Sequence, residues 1–132
     1  MLHYETVSSE LLITLKKIIA DPWFSSFRLA GGTALALKHG HRESIDIDLF
    51  SDRSFDNQEI IAVLANLFEA SSFIVTKENK IGVSAIANEV KIDLLCWRDI
   101  FFDPVEYIDG IPFFSDREIF AMKLAAIADR AA

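Results

Sequence analysis

The chain has 132 residues, 52% of them hydrophobic and 11% aromatic, which fits one domain with a real core and leaves no material for a second. A formal charge of −7 disfavours nonspecific adhesion to a polyanion, so any nucleic acid must land on a local basic patch. No apolar run approaches the roughly 18 residues of a membrane span, and the opening "MLHYETVSSE" lacks the basic-then-apolar order of a secretory leader, so a cytoplasmic protein with no membrane partner is expected. The single cysteine, Cys96, excludes an internal disulfide and reads as a small buried hydrophobe.

The stretch "SSELLITLKKIIADPW" carries Leu11, Leu12, Leu15, Ile18 and Ile19 at helical spacing, with serines to cap its start and Pro22 just beyond its end. "FRLAGG" predicts a short strand stopped by glycines, and "TALALKHG" a helix of about two turns closed by Gly40 in a left-handed cap. "SIDIDLF" predicts a strand. "DNQEIIAVLANLFEA" predicts a second long helix, with Asp56 and Glu59 spaced as a capping box. "SSFIVTKEN", "KIGVSAIAN" and "VKIDLLCW" form three strand-like runs joined by turns at Asn79 and Asn88, the pattern of a meander. "RDIFFDPVEYIDGIPFFS" has no sustained period and predicts an irregular crossing segment. Ser115 and Glu118 form another capping-box pair, and the helix "DREIFAMKLAAIADRAA" runs to the last residue with neither glycine nor proline to stop it, an expectation of a truncated C-terminal end to a single domain over 1–132. This order of elements predicts an α/β (α+β) domain, a mixed twisted sheet flanked by helices.

The chemistry lies in "GGTALALKHGHRESIDIDLF". Alternate residues of a strand share a face, so Asp46 and Asp48 point one way while Ile45, Ile47 and Leu49 point the other. Two carboxylates so placed suit a hard cation, Mg²⁺ or Mn²⁺, which offsets the crowding of like charge. Asp93, in the same apolar-Asp-apolar pattern, supplies a third carboxylate if its strand pairs with the first in the right register. Three carboxylates match what two-metal nucleotidyl transfer needs. Gly31 and Gly32, followed by a helix start, expose backbone N–H groups to an anion, and Thr33 adds a hydroxyl, which together predict a phosphate seat distinct from the Walker and dinucleotide loops.

This run resembles the opening motif of the nucleotidyltransferase superfamily, and in detail that of the AbiEii/AbiGii-like toxins of bacterial type IV toxin–antitoxin systems. The matching residues are the glycine pair, then His41, Arg42, Ser44, Asp46 and Asp48, then Asp93, then Met122, Lys123, Leu124, Ala126 and Arg130. Where that family continues with a Lys-Asp-x-x-Asp-Leu run, this chain stops at Ala132. The resemblance implies a nucleotidyltransferase-like fold and a Mg²⁺-dependent transfer of a nucleoside monophosphate from an NTP to an acceptor hydroxyl. It implies Asp46 and Asp48 as metal ligands, Asp93 as ligand or base, and Gly31, Gly32 and Thr33 as holders of phosphate. Arg42, Ser44 and Lys123 would then neutralise developing charge. The acceptor it implies is RNA, tRNA or a protein side chain, and the partner a cognate antitoxin.

Plainer readings stand beside these. Asp93 can be the surface ion-pair partner of Lys91, Lys123 can snorkel from the core, and the glycine pair can be only a tight turn. His39 and His41 lack a nearby cysteine or third histidine, so no zinc site is expected; with Lys38 and Arg42 they form the candidate basic patch for RNA. The alternative function is a binding module of the same fold that holds nucleotide or a partner without turnover.

Overall fold

The computed structural model describes residues 1–131, with side chains through Asp129. Its helices are α1 (Ser9–Ala20), α2 (Gly31–His39), α3 (Asn57–Leu67) and α4 (Asp116–Ala131). Its strands are β1 (Phe27–Ala30), β2 (Asp46–Ser51), β3 (Phe73–Asn79), β4 (Gly82–Ala87), β5 (Val90–Cys96), β6 (Glu106–Ile108) and β7 (Ile111–Phe113). They form one seven-stranded sheet in the order β3-β4-β5-β2-β1-β7-β6. The β2–β5 and β1–β7 pairs are parallel and the others antiparallel, so the sheet is mixed, as expected.

Alternation decides the two faces. Ile47 and Leu49 of β2 and Ile92 and Leu94 of β5 are fully buried in the core with Leu11, Leu15 and Ile18 of α1 and Ile60 and Leu64 of α3. Each such side chain contributes roughly 1.5–3 kcal/mol on leaving water. The intervening residues Asp46, Asp48 and Phe50 of β2, and Asp93 and Leu95 of β5, are only half-buried on the other face. Ile45, expected with the core set, precedes the strand and is exposed.

The capping expectations divide. Ser8 caps α1 by accepting from the N–H of Leu11, and Gly40 closes α2 with φ of +71°. Ser115 and Glu118 form a reciprocal box, the Ser115 N–H donating to Oε1 of Glu118 and the Glu118 N–H to Oγ of Ser115. Asp56 does cap α3, but Glu59 turns away to accept from the indole N–H of Trp23 at 2.9 Å, so the expected second box does not form. The meander is present, with Asn88 and Glu89 both at positive φ in its second turn.

The segment after Trp97 corrects the expectation of irregular chain. Asp109 (φ +52°) and Gly110 (φ +78°) make a two-residue hairpin turn between β6 and β7, and β7 joins the sheet beside β1. Asp-Gly between apolar runs is the sequence signal for that turn. Cys96 is half-buried at the end of β5, less enclosed than expected. Among the described residues no helix is long and apolar enough to cross a membrane.

Candidate active site

Parallel pairing of β2 with β5 sets Asp48 directly beside Asp93, and Asp46 beside Lys91. The carboxylates of Asp48 and Asp93 therefore share the half-open face of the sheet, with Asp46 one pleat earlier. Burial pushes the Asp48 carboxyl up to about 7, helped by the charge of Asp93, a hydrogen bond shared with Asp93 and the charge of Asp46, while Lys91 pulls the other way. Lys91 thus faces the acidic cluster as a whole and is not the private partner of Asp93.

Asp93 is held from its other side by Ser84 of β4, which lies opposite it in the antiparallel register and donates its hydroxyl to Oδ1 at 2.5 Å. Sequence reading passed over Ser84; its one signal is a polar residue on the same face of a strand that must lie next to "VKIDLL" in a meander.

The start of α2 closes on the same place. Gly31 has φ of +70°, and a Cβ there would collide with Oδ2 of Asp48, so this glycine is required twice, by the backbone angle and by the carboxylate against it. At Gly32 a Cβ would lie 3.1 Å from the Arg42 guanidinium and 3.5 Å from Oγ of Ser44. Gly32, Arg42 and Ser44 are thereby brought together beside the helix start. Thr33 is placed differently from the expectation: it is fully buried, and its hydroxyl serves Oγ of Ser44 and the backbone carbonyl of Asp46. It ties α2 to the first residue of β2 and leaves no exposed hydroxyl for a ligand.

Lys123 of α4 is exposed and lines a cleft of about 570 Å³ that also reaches Gly31 and Asp48. Met122 is buried against the core, Leu124 is exposed, and the side chain of Arg130 lies outside the described residues. The expected basic patch is smaller than its sequence suggests. The Lys38 side chain is 8% exposed; its ammonium is paired with Glu106 at 2.8 Å and Asp116 at 2.9 Å and donates to the carbonyl of Phe114. His39 pairs with Asp116 at 2.8 Å and stacks on His41. His41 and Arg42 remain exposed.

The acidic side chains on this face, Asp46, Asp48 and Asp93, offer carboxylate oxygens, donors that suit a hard divalent cation. Among the described residues no three His, Cys, Asp or Glu side chains are gathered closely enough to hold an ion by themselves. Residues 13–132 match the family model described as the nucleotidyl transferase AbiEii toxin of the type IV toxin–antitoxin system. The chain belongs to the AbiEii family. A relative, the uncharacterized protein aq_aa25 of Aquifex aeolicus, is 31% identical over 120 residues, covering 88% of this chain and 57% of that protein. This AbiEii-family chain therefore spans little more than half the length of that curated relative. Among solved structures, ANT(2″)-Ia in complex with adenylyl-2″-tobramycin is similar with a TM-score of 0.60 and 22% identity, covering 91% of this chain and 76% of that one. A candidate nucleotidyltransferase from Thermotoga maritima, TM1012, gives a TM-score of 0.60 at 16% identity, covering 98% and 94%. JHP933 from Helicobacter pylori gives 0.53 at 20%, covering 89% of this chain and 54% of that one. These likenesses establish a nucleotidyltransferase fold.

Proposed function

We propose that the chain is the catalytic module of a Mg²⁺- or Mn²⁺-dependent nucleotidyltransferase that moves a nucleoside monophosphate from an NTP to an acceptor hydroxyl. The observation that carries this reading is the Asp48–Asp93 pair, set side by side by parallel strands against a glycine-opened helix start. A half-buried carboxyl pushed up to about 7 by desolvation first and then by Asp93 and Asp46 has a strong reason to take a cation. Magnesium commonly binds through one or two protein carboxylates plus substrate phosphates and water, which fits a site whose carboxylates do not form a closed cage. When bound, such ions polarise the phosphoryl oxygens and lower the pKa of the attacking hydroxyl.

The protein's own groups take these parts. Asp46, Asp48 and Asp93 would hold the ions, together with substrate phosphates. Backbone N–H groups at Gly31 and Gly32, with Arg42 and Ser44 beside them, hold the departing phosphates. The acceptor oxygen attacks the α-phosphorus, the bond from that phosphorus to the bridging oxygen breaks, and pyrophosphate leaves. Asp93 accepts the hydroxyl proton, while Lys123 at the rim of the cleft balances charge on the α-phosphoryl oxygens. Ser84 keeps Asp93 turned toward Asp48, and Thr33 keeps β2 seated on α2.

The family match supports a toxin that works with a cognate antitoxin partner; the acceptor in this reading is RNA, tRNA or a protein side chain. Titration calorimetry with Mg·NTP beside transfer of an α-labelled phosphate tests the reading. Binding with Asp48-dependent transfer is expected. Binding without transfer would instead make the chain a nucleotide-holding module, and absence of metal-dependent binding would overturn both.

A further inference from the structure

Beyond the carboxylates the same face of the sheet turns aromatic. Phe50 follows Asp48 and Leu95 follows Asp93, and these two lie opposite each other in the parallel register. Trp97 continues β5, its backbone N–H donating to the carbonyl of Ser51 at 3.0 Å. With Met122 of α4 these side chains line the cleft that has Asp48 and Lys123 at its charged end. The ionic and aromatic ends are separated by two strand residues, roughly 7 Å.

The aromatic end is braced from behind. Phe50 packs edge-on against Phe114, which is fully buried and edge-on to Phe101 at 4.8 Å. The Arg28 guanidinium sits 4.7 Å over the Phe101 ring and is held by the carbonyl of Asp103. Phe50 and Trp97 themselves are only half-buried, tilted by 47° at 6.1 Å between centroids, and both line the cleft. A volume of about 570 Å³ lies beside them, within the size range of small-molecule sites. The occupant that matches both ends carries phosphate charge at one end and a flat apolar ring at the other.

We propose that the cleft between β2, β5 and α4 seats a nucleobase, stacked on Trp97 and Phe50, while its phosphates lie at Asp48 and the start of α2. This rests on the nucleotidyl-transfer reading and adds the residues that grip the base. The base belongs to the donor nucleotide or to the acceptor nucleoside, and the two sources share the stacking chemistry.

The test uses the full chain with Trp23→Phe, so that Trp97 is the sole tryptophan, and follows its fluorescence. The titrants are Mg·ATP, Mg·CTP, Mg·tripolyphosphate and an oligoribonucleotide without a triphosphate. The nucleotides are expected to quench Trp97 and to bind roughly tenfold or more tighter than tripolyphosphate. Trp97→Ala, read by calorimetry, is expected to lose that advantage and leave tripolyphosphate binding unchanged, while Trp97→Phe retains most of it. Phe50→Leu, which keeps an apolar side chain on Phe114, is expected to lose part of it. Quenching by the oligoribonucleotide in place of the nucleotides would assign the seat to the acceptor's base. Equal affinity for nucleotide and tripolyphosphate, with no quenching by any titrant, would overturn the base seat and leave the metal-phosphate reading standing. If no titrant binds, both fall.

Discussion

Asp48→Asn tests whether the acidic pair is a site of stored repulsion. In the native chain the Asp48 carboxyl keeps its proton up to about 7, against 3.8 ordinarily, first because it is buried and then because Asp93 and Asp46 stand beside it. An unfolded chain gives up that proton near 3.8, so between the two values the native state binds more protons and its stability falls as pH rises. The contribution is whole below 3.8 and lost by the time pH has passed about 7. At 1.36 kcal/mol per pH unit the loss is small at pH 4, under about 1 kcal/mol, and grows to about 4 kcal/mol at pH 8. Asparagine keeps the shape and cannot ionise, so the variant escapes this loss. Urea unfolding in EDTA is therefore expected to find Asp48→Asn more stable than the parent at pH 8, with the gap closing toward pH 4. Millimolar Mg²⁺ should stabilise the parent at pH 8 and the variant much less, because only the parent presents all three carboxylates. A gap that is flat with pH, or a variant less stable at pH 8, would refute the claim that Asp48 is held against its own charge.

Gly31→Ala is expected to lower the melting temperature and abolish Mg·NTP binding, costing about 1–2 kcal/mol from the left-handed backbone alone. The stability cost should shrink when Asp48 is also alanine; a double-mutant cycle showing no coupling would remove the contact from the account. Glu118 is fully buried, accepts from the N–H groups of Phe102, Asp103 and Ser115, and faces the Arg28 guanidinium at 3.5 Å. Glu118→Ala leaves those donors and that cation unmatched, so chemical denaturation should show a loss of about 3–5 kcal/mol. Ser84→Ala is expected to cost only about 1 kcal/mol of stability but to weaken Mn²⁺ binding several-fold by calorimetry, with Ser84→Thr restoring it. Unaltered Mn²⁺ affinity in Ser84→Ala would separate Ser84 from the site.

Much of the site could be read from spacing because it is built from strands, where facing follows from counting. Asp46 and Asp48 fall on the open face by parity alone. Asp93 joins them once β5 pairs with β2 in register, and that parallel register was the one step sequence left open. What escaped depends on partners distant in the chain. Nothing near Thr33 signals that its hydroxyl turns inward to Asp46, and nothing near Lys38 signals that Glu106 and Asp116 will close around it. Glu59 had the right spacing for a cap and was drawn off by Trp23, a tertiary contact that outweighs a local one. The β6–β7 hairpin was legible in its Asp-Gly turn, yet its strands are three residues each and contain a proline, too short to show a period.

The parallel pairing of β2 with β5 also governs when the site comes into being. Parallel neighbours cannot be joined by a tight turn, so α3 and the β3–β4 hairpin must be laid down between them before Asp93 reaches Asp48. Such long-range closure is slow, because loop entropy is lost before the contact repays it. While the chain is being synthesised, the glycine pair, Asp46 and Asp48 emerge early as an inert half-site. The acidic pair is completed only once β5 has been made and has docked, so the meeting of Asp48 with Asp93 and the completion of the sheet's centre are one event.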